Sequence, residues 1–218
     1  MRTITILGNG EYPRTPYPLW LIDSADFVIC CDGAFTRWLR RKHQGRKLPD
    51  IVIGDMDSLP ASVKQRYADR IIHETEQDDN DQTKAIKYIL QRFPDEELTI
   101  HIVGATGMRE DHTIGNVSLL MEYERRFNFS KRGITCDIVS DYSTIFAITD
   151  SCSFDCGAGR AVSVLTPDNS LTIKSQGLVW PTDEVVFDNW WKATLNRASA
   201  DTVTLTFSHP SYALIILS

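Results

Sequence analysis

Residues 50–58 read DIVIGDMDS, a short apolar run that is followed at once by a glycine and two aspartates. A run of Ile and Val that ends in such polar residues is typical of a buried strand. Residues two apart in an extended chain project to the same side, so Asp55 and Asp57 are expected to lie together just past the strand. Two carboxylates placed in this way suit a hard divalent cation, and solvated loop aspartates are an equal alternative for the motif by itself.

Apolar runs of the same kind recur through about residue 130 and alternate with stretches of helical periodicity. In the clearest helix, Ile86, Ile89, Leu90 and Phe93 fall on one face, which predicts that this face is buried. Strands and helices that alternate along the chain predict a mostly parallel α/β sheet. The predicted strands are Thr3 to Leu7, Phe27 to Cys31, Ile51 to Ile53, Arg70 to His73 and Leu98 to Val103, and the other predicted helices are Phe35 to Lys42, Ala61 to Tyr67 and Ile114 to Phe127.

The sequence pattern changes from Ile134 onward, where strand-like segments follow one another with turn residues between them. This pattern predicts a C-terminal antiparallel β-sandwich, and the fold class is therefore α/β with two domains, residues 1–140 and 141–218. No low-complexity linker separates them, so we expect a close-packed boundary. The predicted strands are Ile134 to Ser140, Thr144 to Thr149, Ala161 to Thr166, Leu171 to Ser175, Val203 to Phe207 and Ala213 to Leu217.

Composition excludes several classes of protein. The formal net charge of −6 over 218 residues argues against nonspecific nucleic-acid binding, which needs clustered Lys and Arg. No stretch resembles a membrane span or the apolar segment of a signal peptide, so we expect a cytoplasmic location and no membrane partner. The cysteines lack the paired spacing of a zinc site and are predicted to be buried, reduced thiols. They are Cys30, Cys31, Cys136, Cys152 and Cys156.

Acidic residues are concentrated in residues 50–81, which hold nine carboxylates against three basic side chains. Several of them follow strand ends, where open α/β sheets bind ligands. Within QDDNDQTKA (77–85), Asp78, Asp79 and Asp81 come directly before a predicted helix, and capping explains only one of the three. The others could complete a metal-diphosphate site. Lys84 could neutralise phosphate oxygens, although a solvated helix face is the favoured interpretation of that residue alone.

Two further strand-to-helix turns carry polar side chains. GATGMREDHT (104–113) offers glycines for a tight turn, backbone N–H groups for an anion and the fixed charge of Arg109, and His112 is a minor candidate base or ligand. In CDGAFTRWL (31–39), capping of the following helix is favoured slightly over ligand contact for Asp32. Neither a P-loop nor GxGxxG occurs in the chain.

Taken together, four motifs resemble the successive motifs of the thiamine pyrophosphokinase family, and they are CDGA, GDMDS, QDDNDQTKA and GATGMREDH. The resemblance covers essentially the whole chain. It implies a nucleotide- and metal-binding catalytic domain over residues 1–140 and a thiamine-binding and dimerisation domain over residues 141–218. It also implies a Mg²⁺-dependent ATP:thiamine diphosphotransferase that makes thiamine diphosphate and AMP. The family acts as a homodimer, in which thiamine lies between the α/β domain of one subunit and the sandwich of the other.

The resemblance also implies roles for individual residues. The implied metal ligands are Asp55, Asp57, Asp78 and Asp81. The implied catalytic residues are Asp57, Asp81, Lys84 and Arg109. The implied substrate-binding residues are Asn9, Asp32, Gln77, Arg109, Asp111, Trp180, Thr194 and Asn196, with Gly10 beside Asn9 in the loop after the first strand.

The chain departs from the family pattern near the thiamine site. The family's Ser-Thr-Ser-Asn motif reads Ala193, Thr194, Leu195, Asn196 here, so two hydroxyls are missing. Trp180 matches a family aromatic position, and burial in the sandwich core is the alternative interpretation. In the other motifs Met56 replaces a usual Phe, and Ala105 and Met108 stand where Gly is common; no charged ligand is lost.

In the implied reaction the thiamine hydroxyl attacks the β-phosphorus of ATP, and Asp81 or Asp57 accepts its proton. Two other functions remain open at this stage. A strand followed by DxD also describes the nucleophile loop of a haloacid-dehalogenase-type phosphatase, in which Asp55 would be phosphorylated. A regulatory module would hold nucleotide or metal without turnover.

Overall fold

The computed structural model describes residues 1–41 and 47–218, which form two compact units. The first unit consists of Met1–Leu119 and Phe129–Asp141, and the second of Leu120–Asn128 and Tyr142–Ser218. No helix in the described part of the chain is long and apolar enough to cross a membrane.

Strands and helices alternate in the first unit, as predicted. They are β1 (Arg2–Leu7), α1 (Pro16–Ser24), β2 (Phe27–Cys31), α2 (Ala34–Arg40), β3 (Ile51–Gly54), α3 (Ala61–Arg66), β4 (Ile71–His73), α4 (Asp81–Arg92), β5 (Leu98–Val103), α5 (Glu110–Phe127) and β6 (Ile134–Val139). Helix α5 contributes its residues up to 119 to this unit and the later ones to the second unit.

The six strands of the first unit are parallel and lie in the order β6-β5-β1-β2-β3-β4. Their carboxyl ends therefore share one edge of the sheet. The chain winds from β1 to β4 in one direction and returns to place β5 and β6 on the other side of β1. A crevice at such a reversal is where doubly wound sheets bind ligands.

Burial explains why these strands read as continuous apolar runs. Ile29 and Cys30 are neighbours in β2 and both have no exposed surface, because a parallel sheet with helices on both faces buries both sides of each strand. Ile86 and Ile89 of helix α4, and Phe93 directly after it, are buried as the periodicity predicted, whereas Leu90 is half-buried.

The second unit is an antiparallel sandwich. Its strands are β7 (Thr144–Ile148), β8 (Cys152–Asp155), β9 (Ala161–Leu165), β10 (Ile173–Gln176), β11 (Ala193–Arg197), β12 (Thr202–Phe207) and β13 (Ala213–Leu217). One sheet has the order β11-β9-β13-β7 and the other β10-β12-β8. Val164 and Ile215 of the first sheet share a buried core with Ile173 and Leu205 of the second. The predicted fold class is confirmed.

Among the α-helices and β-strands of the described residues, three were not predicted, and each lacks the usual signal. Helix α1 contains two prolines, which its first turn tolerates but which obscure the helical pattern. Strand β8 is short and partly exposed, and β11 is interrupted by a register shift. The helix predicted to end at Lys42 runs over Ala34–Arg40, and Lys42 lies outside the described residues.

The cysteines are free thiols, as predicted, but only Cys30 and Cys31 are fully buried. The remaining three are half-buried, so the prediction of burial was wrong for them. They are Cys136, Cys152 and Cys156.

Candidate active site

A cavity of about 760 Å³ opens in the first unit, where loops at the carboxyl ends of the strands meet. Most of the predicted site residues line it, although they come from separate motifs in the sequence. These are Asn9, Asp32, Asp55, Asp57, Gln77, Asp78, Asp81, Lys84 and Arg109. Gly10, Asp79 and His112 line the same cavity. The sheet thus brings the four family-like motifs together.

A carboxylate cluster forms one part of the cavity. Among the described residues, Asp32, Asp55 and Asp57 each place a carboxylate oxygen within 4.8 Å of the other two. The expected extended backbone between Asp55 and Asp57 was wrong, because Met56 is left-handed (φ 63°) and the chain turns there. The Asp57 N–H donates to Asp55 Oδ1 at 3.2 Å, and this bond holds the pKa of Asp55 below its ordinary value.

Asp32 is the most deeply buried member of this cluster, with 4% of its surface exposed. Its Oδ2 accepts the Ser58 N–H at 3.2 Å, while Oδ1 is buried and has no hydrogen-bond partner among the described residues. Burial raises the pKa of Asp32, hydrogen bonds from Ser58 offset part of this, and the nearby charges of Asp57 and Asp55 raise it further. The predicted capping role was wrong: the N-cap of α2 is Gly33, and no side chain caps that helix.

The start of α4 places a buried lysine and its half-buried aspartate partner beside the carboxylates. Lys84 is 6% exposed, and its Nζ lies 3.7 Å from Asp81 Oδ1 and donates to the Glu74 carbonyl at 3.1 Å. The interpretation of Lys84 as part of a solvated helix face was therefore wrong. Burial raises the pKa of Asp81 to about 6; Lys84 lowers it, whereas Asp32 raises it.

The other acidic residues before α4 have different partners. The N-cap is Asn80, whose Oδ1 accepts the Thr83 N–H at 2.9 Å. The expectation that one of the three aspartates caps this helix was therefore wrong. Asp79 pairs with Lys87, and Asp78 is exposed and donates its N–H to Glu76. Asp78 lines the cavity, but Asp32 rather than Asp78 lies within 4.8 Å of both Asp55 and Asp57.

Tightly packed loops form the wall on the β1 and β5 side. The N–H of Gly10 donates to the Gly104 carbonyl at 2.7 Å, and a Cβ on Gly10 would lie 2.6 Å from that same oxygen. Only glycine permits this approach. Asn9 packs in the same way on Gly33, where a Cβ would lie 2.5 Å from Asn9 Nδ2.

Arg109 and Asp111 form an exposed pair at the start of α5. Arg109 donates to both carboxylate oxygens of Asp111, at 3.1 and 2.5 Å, and about two-thirds of each side chain is exposed. His112 donates its backbone N–H to Asp111 at 2.9 Å. Asp111 thus holds Arg109 at the rim of the cavity without lining the cavity itself.

A second cavity, of about 290 Å³, lies in the second unit and is lined by the predicted residues Trp180, Thr194 and Asn196. Trp180 is 59% exposed, so the alternative of a core position was wrong. Asn196 is buried and clamps the backbone of Trp180: its Nδ2 donates to the Trp180 carbonyl at 2.6 Å, and its Oδ1 accepts the Trp180 N–H at 3.2 Å. Asn196 therefore positions Trp180, with its amide already engaged.

Comparison with known proteins identifies the family. The family described as "Thiamin pyrophosphokinase, catalytic domain" matches residues 19–130, and "Thiamin pyrophosphokinase, substrate-binding domain" matches residues 144–212. The chain belongs to the thiamin pyrophosphokinase family. The function class predicted from the sequence is confirmed by this result, and members of the family use ATP and thiamine as substrates.

Several thiamin pyrophosphokinases resemble the whole chain or half of it. Thiamine pyrophosphokinase 1 of Oryza sativa subsp. japonica is 27% identical over 226 residues, which cover 92% of this chain and 82% of that protein. The Bacillus subtilis enzyme is 32% identical over 132 residues, or 55% of each chain. The crystal structure of the Bacillus subtilis protein covers 100% of this chain and 99% of its own at 20% identity, with a TM-score of 0.77. The yeast structure covers 100% of this chain and 86% of its own at 19% identity, with a TM-score of 0.79. These structures support the fold.

Two residues that line the candidate site were not identified from the sequence. Arg37 lines the cavity from α2 and lies inside the CDGAFTRWL motif, five residues after Asp32, so its charge and its place in the motif could have identified it. Asn116 donates to the Ala105 carbonyl at 2.7 Å and accepts from Asn80 at 2.8 Å. No signal in the sequence points to Asn116, because its partners are distant along the chain.

Proposed function

We propose that this chain transfers the pyrophosphoryl group of ATP to the hydroxyl of thiamine, with ATP bound in the cavity of the first unit. The observation that carries the proposal is the mixture of charges in that cavity. Carboxylates from β2, β3 and α4 meet Arg37, Lys84 and Arg109 in one crevice at the carboxyl ends of parallel strands. Such a crevice suits a metal-bound polyphosphate better than a neutral ligand.

We propose Mg²⁺ as the cofactor, because the donors fit it. Three carboxylates with oxygens within 4.8 Å of one another repel each other unless a cation lies among them. The unpartnered Oδ1 of Asp32 adds a buried oxygen that lacks a donor. Asp32, Asp55 and Asp57 would hold the ion, with Asp78 and Asp81 as further candidates. Mg²⁺ keeps several waters and binds phosphate oxygens, so it would supply charge neutralisation when bound.

In the proposed reaction the thiamine oxygen forms a bond to the β-phosphorus while the bond from that phosphorus to the α,β-bridging oxygen breaks. The bridging oxygen leaves with AMP, and the hydroxyl proton passes to Asp57 or Asp81. Lys84 and Arg109 would neutralise phosphate oxygens. Positioning and fixed charge supply most of the catalysis in phosphoryl transfer.

We propose that thiamine binds the second unit at the cavity lined by Trp180 and Thr194, and that the working enzyme is a homodimer. An exposed indole offers a flat face for a cationic aromatic ligand. Leu195 replaces a hydroxyl of the family motif and is 84% exposed, so recognition here would depend more on Trp180. The cytoplasmic location stays a prediction.

The proposal is tested by incubating the purified chain with ATP, Mg²⁺ and thiamine and following nucleotides and thiamine diphosphate by chromatography. We expect equal amounts of AMP and thiamine diphosphate, and neither without metal. Asp57→Asn and Asp81→Asn should each lower kcat about a hundredfold or more. Asp69→Asn is the matched control, because Asp69 belongs to the same acidic segment but does not line the cavity.

Other products would overturn the proposal. Free phosphate with a phosphorylated Asp55 would indicate a phosphatase. ATP binding without AMP formation in the presence of thiamine would indicate a regulatory module.

A further inference from the structure

Arg37 contacts two loops of the 760 Å³ cavity of the first unit, where ATP is proposed to bind and which is called the nucleotide cavity below. It projects from α2, lines the cavity and donates through Nη1 to the Gly10 carbonyl, in the loop after β1. Its Nη2 lies 2.9 Å from Met108 Sδ, in the loop after β5. These two loops flank the crevice at which the winding of the sheet reverses.

The other Lys and Arg side chains of the cavity already have carboxylate partners. Lys84 pairs with Asp81 at 3.7 Å, and Arg109 is held by Asp111. Arg37 has no carboxylate within ion-pair distance in the described part of the chain. A guanidinium carries five N–H donors, and the two contacts leave others available to a ligand. Arg37 is therefore a lining cation whose charge is left for an anion.

Sheet order places the two loops that Arg37 contacts to one side of Asp55 and Asp57. These loops follow β1 and β5, whereas Asp55 and Asp57 follow β3, and β2, which precedes Asp32, lies between β1 and β3. Two strand spacings correspond to about 10 Å. One end of the cavity thus suits a cation with the phosphates around it, and the other offers a planar cation. An extended polyanion that lies along the crevice would reach both.

We propose that Arg37 binds the α-phosphate of ATP, the group that leaves as AMP. This inference rests on the proposed function. A guanidinium binds a phosphate through two parallel hydrogen bonds, which a lysine cannot reproduce. Because negative charge builds on the α-phosphate as the bridging bond breaks, Arg37 also stabilises the departing group. It is a substrate-binding residue and, through Gly10 and Met108, holds the loops around its ligand.

The test compares AMP with inorganic pyrophosphate as probes, both in Mg²⁺, by calorimetry on the full chain. Arg37→Met should weaken AMP binding about ten- to a hundredfold, whereas pyrophosphate binding should change by less than about threefold. Arg37→Lys should recover only part of the AMP affinity. Arg40→Met is the matched control, because Arg40 lies one turn later on α2, is exposed and does not line the cavity. It should bind both probes as the unchanged chain does.

Two outcomes would overturn the inference. Unchanged AMP affinity in Arg37→Met would show that Arg37 does not bind the α-phosphate. Equal losses for AMP and pyrophosphate, with a lower unfolding temperature, would mean that Arg37 only holds the loops. The reaction itself is read separately from turnover of the unchanged chain: absence of AMP formation from ATP and thiamine would refute the proposed function, while the two affinities would still decide whether Arg37 binds phosphate.

Discussion

At the scale of single residues, the site is distinguished by charged side chains that the fold buries. Asp32 and Lys84 are each less than a tenth exposed, although both are charged residue types that avoid the interior unless paired. Lys84 has Asp81 as its partner, but one oxygen of Asp32 has no hydrogen-bond donor in the described part of the chain. Such groups cost stability in the empty protein and are typical of functional sites.

Lys84→Met should lower kcat/KM for ATP about a hundredfold, because it removes a buried cation from a cavity that must hold polyphosphate. Lys87→Met is the control: Lys87 is on the same helix but pairs with Asp79 and is 40% exposed. Steady-state kinetics of both variants measure this loss. Near-normal turnover in Lys84→Met would show that Lys84 has no catalytic role.

Sequence patterns predicted which residue types would meet, but they could not predict burial. Asp55 and Asp57 were identifiable because they follow a strong strand signal. Taken alone, Asp32 was interpreted as a cap and Lys84 as solvated, since a single residue carries no sign of what covers it; only the family resemblance implied that both belong to the site. The charge of Arg37 and its place in the CDGAFTRWL motif were visible, but its contacts with Gly10 and Met108 were not, because these residues lie in loops that come together only through the order of the strands.

At the scale of elements, the end of β3 connects the sheet to the carboxylates. Gly54 closes the strand with φ 150°, a conformation that side chains rarely adopt, and it lies between Asp32 and Asp81. The strand signal itself was clear, as for the other apolar runs. The elements that escaped prediction, α1, β8 and β11, carry prolines, exposed residues or a bulge, so tertiary contacts rather than local pattern define them.

Gly54→Ala should reduce both activity and stability. The new Cβ would lie 3.0 Å from Asp32 Cβ and 3.0 Å from Asp81 Oδ1, and the backbone angle adds strain. We expect at least about a tenfold loss of kcat/KM and a cost of about 2 kcal/mol in unfolding free energy. Gly115→Ala in α5 is the control, because nothing lies within 4 Å of its Cβ; it should gain about 0.5–1 kcal/mol. If the two variants changed kcat/KM and the unfolding free energy in urea by the same amounts, this explanation would be wrong.

A second element-scale prediction concerns the loop between β9 and β10. Asp168 accepts hydrogen bonds from Ser170, Ser211 and His209, and together they hold its pKa well below the ordinary value. The folded chain therefore binds this proton less readily than the unfolded chain. The resulting stability is present above about pH 4 and is lost as pH falls below that value.

Asp168→Asn should accordingly destabilise the chain by about 1–2 kcal/mol at pH 7, and the difference should shrink at pH 3. Urea unfolding at both values measures it. Asp150→Asn is the control, since Asp150 is exposed and, within residues 1–41 and 47–218, accepts a hydrogen bond only from Ser151. A difference that stays constant from pH 7 to pH 3 would mean that the hydrogen bonds, and not the charge, supply the stability.

At the scale of the whole molecule, the proposed substrates are divided between the two units. The nucleotide cavity belongs entirely to the first unit and the Trp180 cavity entirely to the second. A transfer reaction needs both substrates in contact, and in the proposed homodimer the first unit of one subunit and the second unit of its partner would supply them. One variant in each unit distinguishes a site that a single chain completes from a site that two subunits share.

Asp57→Asn alters the first unit and Trp180→Ala the second, and each homodimer should be nearly inactive at low thiamine. In a heterodimer purified through two different tags, one site combines both changes and the other contains neither. If each site joins the first unit of one subunit to the second unit of its partner, this heterodimer should recover about half of the unchanged activity. A heterodimer of Asp57→Asn with Lys84→Met should recover none, because both changes affect the first unit. Failure of the first pair to recover activity would mean that each chain completes its own site, and failure to isolate any heterodimer would refute the dimer itself.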